Sequence, residues 1–205
     1  MTTSTTSEDV ARSGFIAAVA EPDEHVERMY ATDLRAQGYV ANQTRVWAHS
    51  PESLAALSYA LTMAVEKAGV DVRQRALLVT STAATMGDAY CSLAFGSKLA
   101  ASAGAKVAAA AVSGDDDALP ERDRALARWA RQVTRDPNGT RPEDVERLRA
   151  AGYDDEQVFA ITLFVALRIA FSTVNDALGA EPDQALLERA PQALRDSVRF
   201  GRMPT

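Results

Sequence analysis

Apolar residues recur along this chain at helical rather than strand spacing. In "DEHVERMYATDLRAQG", residues 23–38, Val26, Met29, Tyr30 and Leu34 fall near one face, and Gly38 suits a left-handed C-cap. "HSPESLAALSYALTMAVEKAG" places Ser50 as an N-cap, Pro51 at the first helical position, and Leu54, Leu57, Leu61 and Val65 on one face before Gly69. "DVRQRALLVTSTAAT" has a short apolar run that would suit a strand, but Asp71 as a cap and the arginines two residues apart suit a helix start, and a helix is expected. Gly87 and Gly104 bracket a further helix that begins at Asp88 and runs to about Ala103. "AKVAAAAVSGDDDALP" is an alanine-rich segment followed by an acidic loop, and it divides the chain into two comparable halves. "PERDRALARWARQVTRDPNG" reads as a helix with Leu126, Trp129 and Val133 on one face and a turn as its stop. A short helix capped at Thr140 or Arg141 follows, then a break at Gly152 and a long helix from about Asp154 to Leu178.

That long helix changes the picture. Val158, Phe159, Ile161, Leu163, Phe164, Val165, Leu167, Ile169 and Phe171 leave it almost no polar face, and a helix apolar all round is expected to be buried all round. Its length and its interruption by Thr162 and Arg168 argue against a membrane span. The expectation is a helix at the centre of the fold that also forms a subunit interface, because so small a helical subunit has few other helices to wrap it. A homo-oligomer follows.

Composition agrees with packed helices. The 205 residues are 47% apolar and only 6% aromatic, with much alanine, which favours an all-α fold with close helix contacts. One helical domain over residues 14–205 is expected, preceded by a loose polar tail at residues 1–13. The net charge of −6 gives no broad attraction to nucleic acid or to anionic lipid, so neither nucleic acid nor membrane is an expected partner. A single cysteine excludes an internal disulfide, and "MTTSTTSEDVARSG" lacks the basic start and apolar run of a signal peptide, which leaves a cytoplasmic location as the default. The two histidines, His25 and His49, lie far from the cysteine in sequence, and no metal or other cofactor is expected.

Candidate chemistry concentrates in "TMGDAYCSLAFG", residues 85–96. With Asp88 as N-cap, Cys91 is the third residue of its helix, where free amides and the helix dipole favour a thiolate. The Asp88 carboxylate three residues earlier opposes this by raising the thiol pKa. Cys91 is thus either a reactive thiol or a small buried apolar residue beside an ordinary capping aspartate. Asp88 is itself a candidate acid or base, and Tyr90 a candidate for orienting a substrate, although it projects from a different face. Arg168 needs a partner if buried, which Asp88 or Asp176 would supply, and it is a candidate for substrate binding. Ser172 and Asn175 form a polar end to the same helix that lines a small pocket or satisfies backbone carbonyls.

The order of these segments resembles the carboxymuconolactone decarboxylase and alkylhydroperoxidase D superfamily, specifically its peroxidase-related branch. The resemblance covers residues 25–182 and is carried most specifically by "LRAAGYDDEQ" and "NDALG". It implies an all-helical alkylhydroperoxidase D-like bundle assembled as a trimer or hexamer, with a dimer not excluded. Redox members of the family carry two cysteines three apart, a histidine four beyond the second, and an upstream glutamate that relays protons. Here Cys91 matches the second cysteine, Asp88 stands at the first, Phe95 at the histidine, and Ala76 near the glutamate. A dithiol cycle is therefore contradicted by the sequence. The resemblance leaves three functions: a single-cysteine peroxide or thiol oxidoreductase using Cys91, a non-redox decarboxylase or isomerase using Asp88 on a small organic acid, or a catalytically silent homologue. A small molecule, either a peroxide or a small organic acid, is the expected partner.

Overall fold

The computed structural model describes residues 14–204, so the expected tail at 1–13 lies outside the described residues. The described residues hold no strand. Helices follow in the order α1 (Glu24–Gln37), α2 (Asn42–Trp47), α3 (Pro51–Ala68), α4 (Val72–Met86), α5 (Ala89–Ala103), α6 (Ala105–Ser113), α7 (Glu121–Arg135), α8 (Pro142–Ala150), α9 (Asp155–Ala177), α10 (Gln184–Arg189) and α11 (Gln192–Ser197).

Caps set the boundaries of the long helices. Asp23 accepts from the Val26 amide, and Asp71 and Asp154 each form a reciprocal capping box, with Gln74 and Gln157 respectively. Gly38, Gly69 and Gly87 end α1, α3 and α4 in the left-handed conformation that glycine adopts without steric cost. The segment that was ambiguous between strand and helix is α4, and its capping box is what the pair Asp71 and Gln74 provides.

The helix enclosed on all sides is α4 rather than α9. Every residue from Ala76 to Ala83 is buried, and α4 packs against α5, α6, α7 and α9. Two of its hydroxyls bond along the helix, Thr80 Oγ1 to the Ala76 carbonyl at 2.8 Å and Thr85 Oγ1 to the Ser81 carbonyl at 2.7 Å, while Ser81 Oγ and Thr82 Oγ1 are buried without a partner. The long helix α9 is buried on only part of its circumference, through Ile161, Phe164 and Val165, while Phe159 is 69% and Leu163 39% exposed. Burial all round is thus not met within one chain. The reason is geometric: α9 packs on α3 on one side and on α4 and α7 on another, and no helix among the described residues covers the outer face of the α3–α9 pair.

With 23 residues and a mean hydropathy of 1.8 over its most apolar stretch, α9 is long and apolar enough to cross a bilayer by length and composition alone. Length does not argue against a span, contrary to expectation. Its packing does, because its buried stripe interdigitates with the core of the bundle and carries the buried Arg168. A partly buried ion pair ties the second half to the first, and another braces α7. Arg73 of α4 forms a bidentate pair with Asp123 of α7, whose carboxylate is almost fully enclosed, and Arg131 reaches both Asp116 and the Ala111 carbonyl.

Candidate functional site

Asp88 caps α5 as expected: its Oδ1 accepts from the Cys91 amide at 2.8 Å. The carboxylate is fully buried, Oδ2 has no hydrogen-bond partner, and no cation lies within ion-pair distance among the described residues. Cys91 is 1% exposed. Burial pushes its thiol well above the ordinary range, and the Asp88 charge pushes it further, while Arg168 and the Ser172 hydroxyl pull in the opposite direction. The resting group is a neutral thiol.

Arg168 does not pair with either of the acids that sequence suggested. Its Nη2 donates to Cys91 Sγ at 3.1 Å, and its guanidinium lies 4.6 Å from the Phe171 ring centroid and 5.0 Å from that of Phe95. Nε has no partner, and the side chain is 6% exposed. Two aromatic faces and a sulfur replace a counter-charge here, which leaves part of the desolvation cost of a buried cation uncompensated. Asp176 lies elsewhere on the far end of α9, where burial first and the Asp88 charge second raise its carboxyl to about 6, with Arg202 working against them.

Of the residues singled out by sequence, Asp88, Cys91, Arg168 and Ser172 come together where the start of α5 meets α9. Tyr90 does not join them. Its hydroxyl donates to Asp183, whose Oδ1 accepts from the Asn42 amide at 3.0 Å, so Tyr90 ties α5 to α2 and to the segment before α10. Burial, followed by the Asp183 charge, raises its phenol far above the ordinary value. Asn175 is a supporting residue: its Oδ1 accepts from Trp47 Nε1 at 2.9 Å. Because the indole N–H can only donate, this bond decides the amide's orientation and leaves Nδ2 unpaired in the interior.

Beyond Arg168 lies a cleft of about 310 Å³ bounded by α2, α3, α4, α5 and α9. Trp47 and Phe171 form one wall, stacked with centroids 5.2 Å apart and planes within 10°. Phe95 stands between two cations, with Lys98 Nζ 4.4 Å from its centroid in addition to Arg168. Arg75 and Lys98 occupy the exposed rim. Sequence reasoning missed Arg75, Lys98 and Trp47, because they come from three different helices and no local spacing joins them.

Helix order and packing can be set beside solved structures. No protein-family model matches the sequence, and no curated protein matches it. Among solved structures, an alkylhydroperoxidase AhpD core, described as an uncharacterized peroxidase-related protein from Ralstonia eutropha JMP134, superposes with a TM-score of 0.72 at 22% identity, over 94% of this chain and 98% of that one. The chain has the alkylhydroperoxidase D fold. A peroxidase-related protein from Silicibacter sp. TM1040 matches with a TM-score of 0.72 at 17% identity, over 87% of this chain and 96% of its own. The debrominase Bmp8 matches at 0.67 and 16% identity, over 86% and 92%, and its cysteine-to-alanine variant is solved in complex with 2,3,4-tribromopyrrole.

Within this alkylhydroperoxidase D fold, the departures from the redox motif have local physical consequences. Ala76 sits in the enclosed part of α4, where a glutamate would need a partner. A histidine in place of Phe95 would meet the cations of Lys98 and Arg168, whereas the phenyl ring attracts both.

Proposed function

We propose that the protein is a single-cysteine thiol oxidoreductase of the peroxidase-related kind, with Cys91 as the reacting atom. The observation that carries this reading is the Arg168 guanidinium 3.1 Å from Cys91 Sγ, a cation placed to hold the sulfur once it loses its proton. Asp88 takes that proton on the oxygen that has no other partner. The thiolate then attacks the outer oxygen of a hydroperoxide. The S–O bond forms as the O–O bond breaks, and the proton held by Asp88 passes to the leaving alkoxide, so that thiol and hydroperoxide become sulfenic acid and alcohol. A first external thiol condenses with the sulfenic acid to a mixed disulfide and water. A second reduces that disulfide, restores Cys91 and leaves as an external disulfide. The first small thiol thus takes the place of a second cysteine, and the two together supply the two electrons that restore Cys91.

Mass spectrometry after limited exposure to cumene hydroperoxide tests the proposal. Cys91 gains one oxygen, trapped as a dimedone adduct, and both Asp88→Asn and Arg168→Met slow its appearance about tenfold or more. An unmodified thiol in the folded protein would overturn it.

The unpartnered and fully buried Asp88 oxygen also favours a second reading, proton transfer on a small organic acid without redox chemistry. Under that reading Cys91→Ser keeps activity and Asp88→Asn abolishes it.

The working unit proposed is a homo-oligomer, a trimer or hexamer in line with the resemblance. Support comes from the outer face of the α3–α9 pair, where Met63, Phe159 and Leu163 line an apolar groove in the open and Tyr59 of α3 is exposed as well.

A further inference from the structure

Among the described residues, a buried cation, exposed cations and an aromatic wall converge in the cleft with no carboxylate in its lining. Arg168 lies at its base with Nε unpaired, Arg75 and Lys98 stand at its rim, and none of the three takes part in an ion pair. The molecule as a whole carries a net charge of −6, so this concentration of positive charge runs against its overall balance. The cations also disfavour one another. Lys98 is held below its ordinary pKa by burial first and then by Arg75 and Arg168, and Arg75 is lowered by burial and by Arg168. An anion between them would remove that repulsion.

Shape narrows the ligand further. At about 310 Å³ the cleft is at the small end of ligand sites, which span roughly 300–1,000 Å³. Its apolar lining is mainly flat: the stacked Trp47 and Phe171 pair, held in place by Asn175, with Phe95 nearby. Free inorganic anions would use the charge and leave this wall unused.

We infer that the cleft binds a planar aromatic anion, with its carboxylate or phenolate group on Arg168 between Lys98 and Arg75, and its ring against Trp47 and Phe171. This rests on the reading above only in placing the reacting atom behind Arg168, and names the class of molecule that the same site admits.

Isothermal titration of the full chain with benzoate, benzamide and inorganic phosphate tests the inference. Benzoate binds at least about tenfold more tightly than the neutral amide of the same shape, as expected when a charge-assisted hydrogen bond is lost. It also binds more tightly than phosphate, and its affinity falls with added salt. Lys98→Gln and Arg75→Gln each weaken it several-fold, and both side chains are exposed enough for these variants to fold. Equal binding of benzoate and benzamide, phosphate binding as tight as benzoate, or no benzoate binding at millimolar concentration would each overturn the inference. Benzoate binding beside an inert thiol would sink the thiol reading alone, and a reactive Cys91 without benzoate binding would sink this inference alone.

Discussion

Asp88 uses its two carboxylate oxygens differently, and substitutions separate them. Oδ1 caps α5 and Oδ2 stands unpaired, so Asp88→Asn keeps the cap acceptor and removes the proton acceptor, whereas Asp88→Ala loses both. Chemical denaturation is expected to show a loss of about 1 kcal/mol for the alanine variant as the cap disappears. The asparagine variant should be the more stable of the two while reacting no faster with peroxide. Asp176 carries a pH signature. Its carboxyl is raised from 3.8 to about 6 in the fold, so between those values the native state binds more protons than the unfolded chain. Stability from this group is full at low pH and is lost as pH rises toward and through 6. Melting curves of Asp176→Asn should therefore gain on the parent protein above pH 6 and not at pH 4. At this scale sequence shows local features well: the Asp88 cap and the third-residue position of Cys91 depend on neighbours three residues apart. The partners of Arg168 and Tyr90 lie 77 and 93 residues away, and no local pattern encodes them.

The helices with caps and long periodic faces were legible, and the short ones were not. A six-residue helix such as α2, α10 or α11 is too short to be stable alone, so it owes its existence to what it packs against rather than to its own sequence. The relative burial of α4 and α9 was misread for a related reason. The run "VTSTAAT" looks half polar, yet Thr80 and Thr85 bond to carbonyls one turn back and small Ser81 and Thr82 are simply enclosed, whereas the phenylalanines of α9 look buried whether or not anything covers them. Small residues matter where helices approach closely. A Cβ on Gly96 of α5 would stand 2.7 Å from Leu194 Cδ1 of α11, and Leu194 is fully buried with little room to yield. Gly96→Ala is expected to cost about 1–3 kcal/mol by overpacking, read as a lower denaturation midpoint with an unchanged slope. An unaltered midpoint would mean that α11 shifts freely.

For the whole molecule, the exposed face of α3 and α9 and the buried face of α9 make opposite predictions for charged substitutions. Phe164 is in the core, so Phe164→Asp should unfold the chain, because an unpaired buried charge costs several kcal/mol. Phe159 is on the outer face, so Phe159→Glu should leave the helical circular dichroism intact and convert the proposed oligomer to monomers in light scattering. A parent protein already monomeric at micromolar concentration would remove the oligomer proposal. The all-helical character and the resemblance to the alkylhydroperoxidase D superfamily were readable from segment order. The cleft was not, since its lining is drawn from five helices and exists only once they pack.

The chain has two tryptophans, and they sit in different surroundings. Trp47 is stacked on Phe171 at the cleft, while Trp129 lies in α7 with its Nε1 donating to Thr162 Oγ1 at 3.0 Å. Replacing Trp129 by Phe would leave Trp47 as the single tryptophan, at the cleft wall, so that a ring settling on that wall, or a movement of the guanidinium beside Phe171, changes its emission when indole is excited selectively. The protein thus carries its own optical gauge of occupancy, readable in a stopped-flow cell at millisecond resolution without any attached dye.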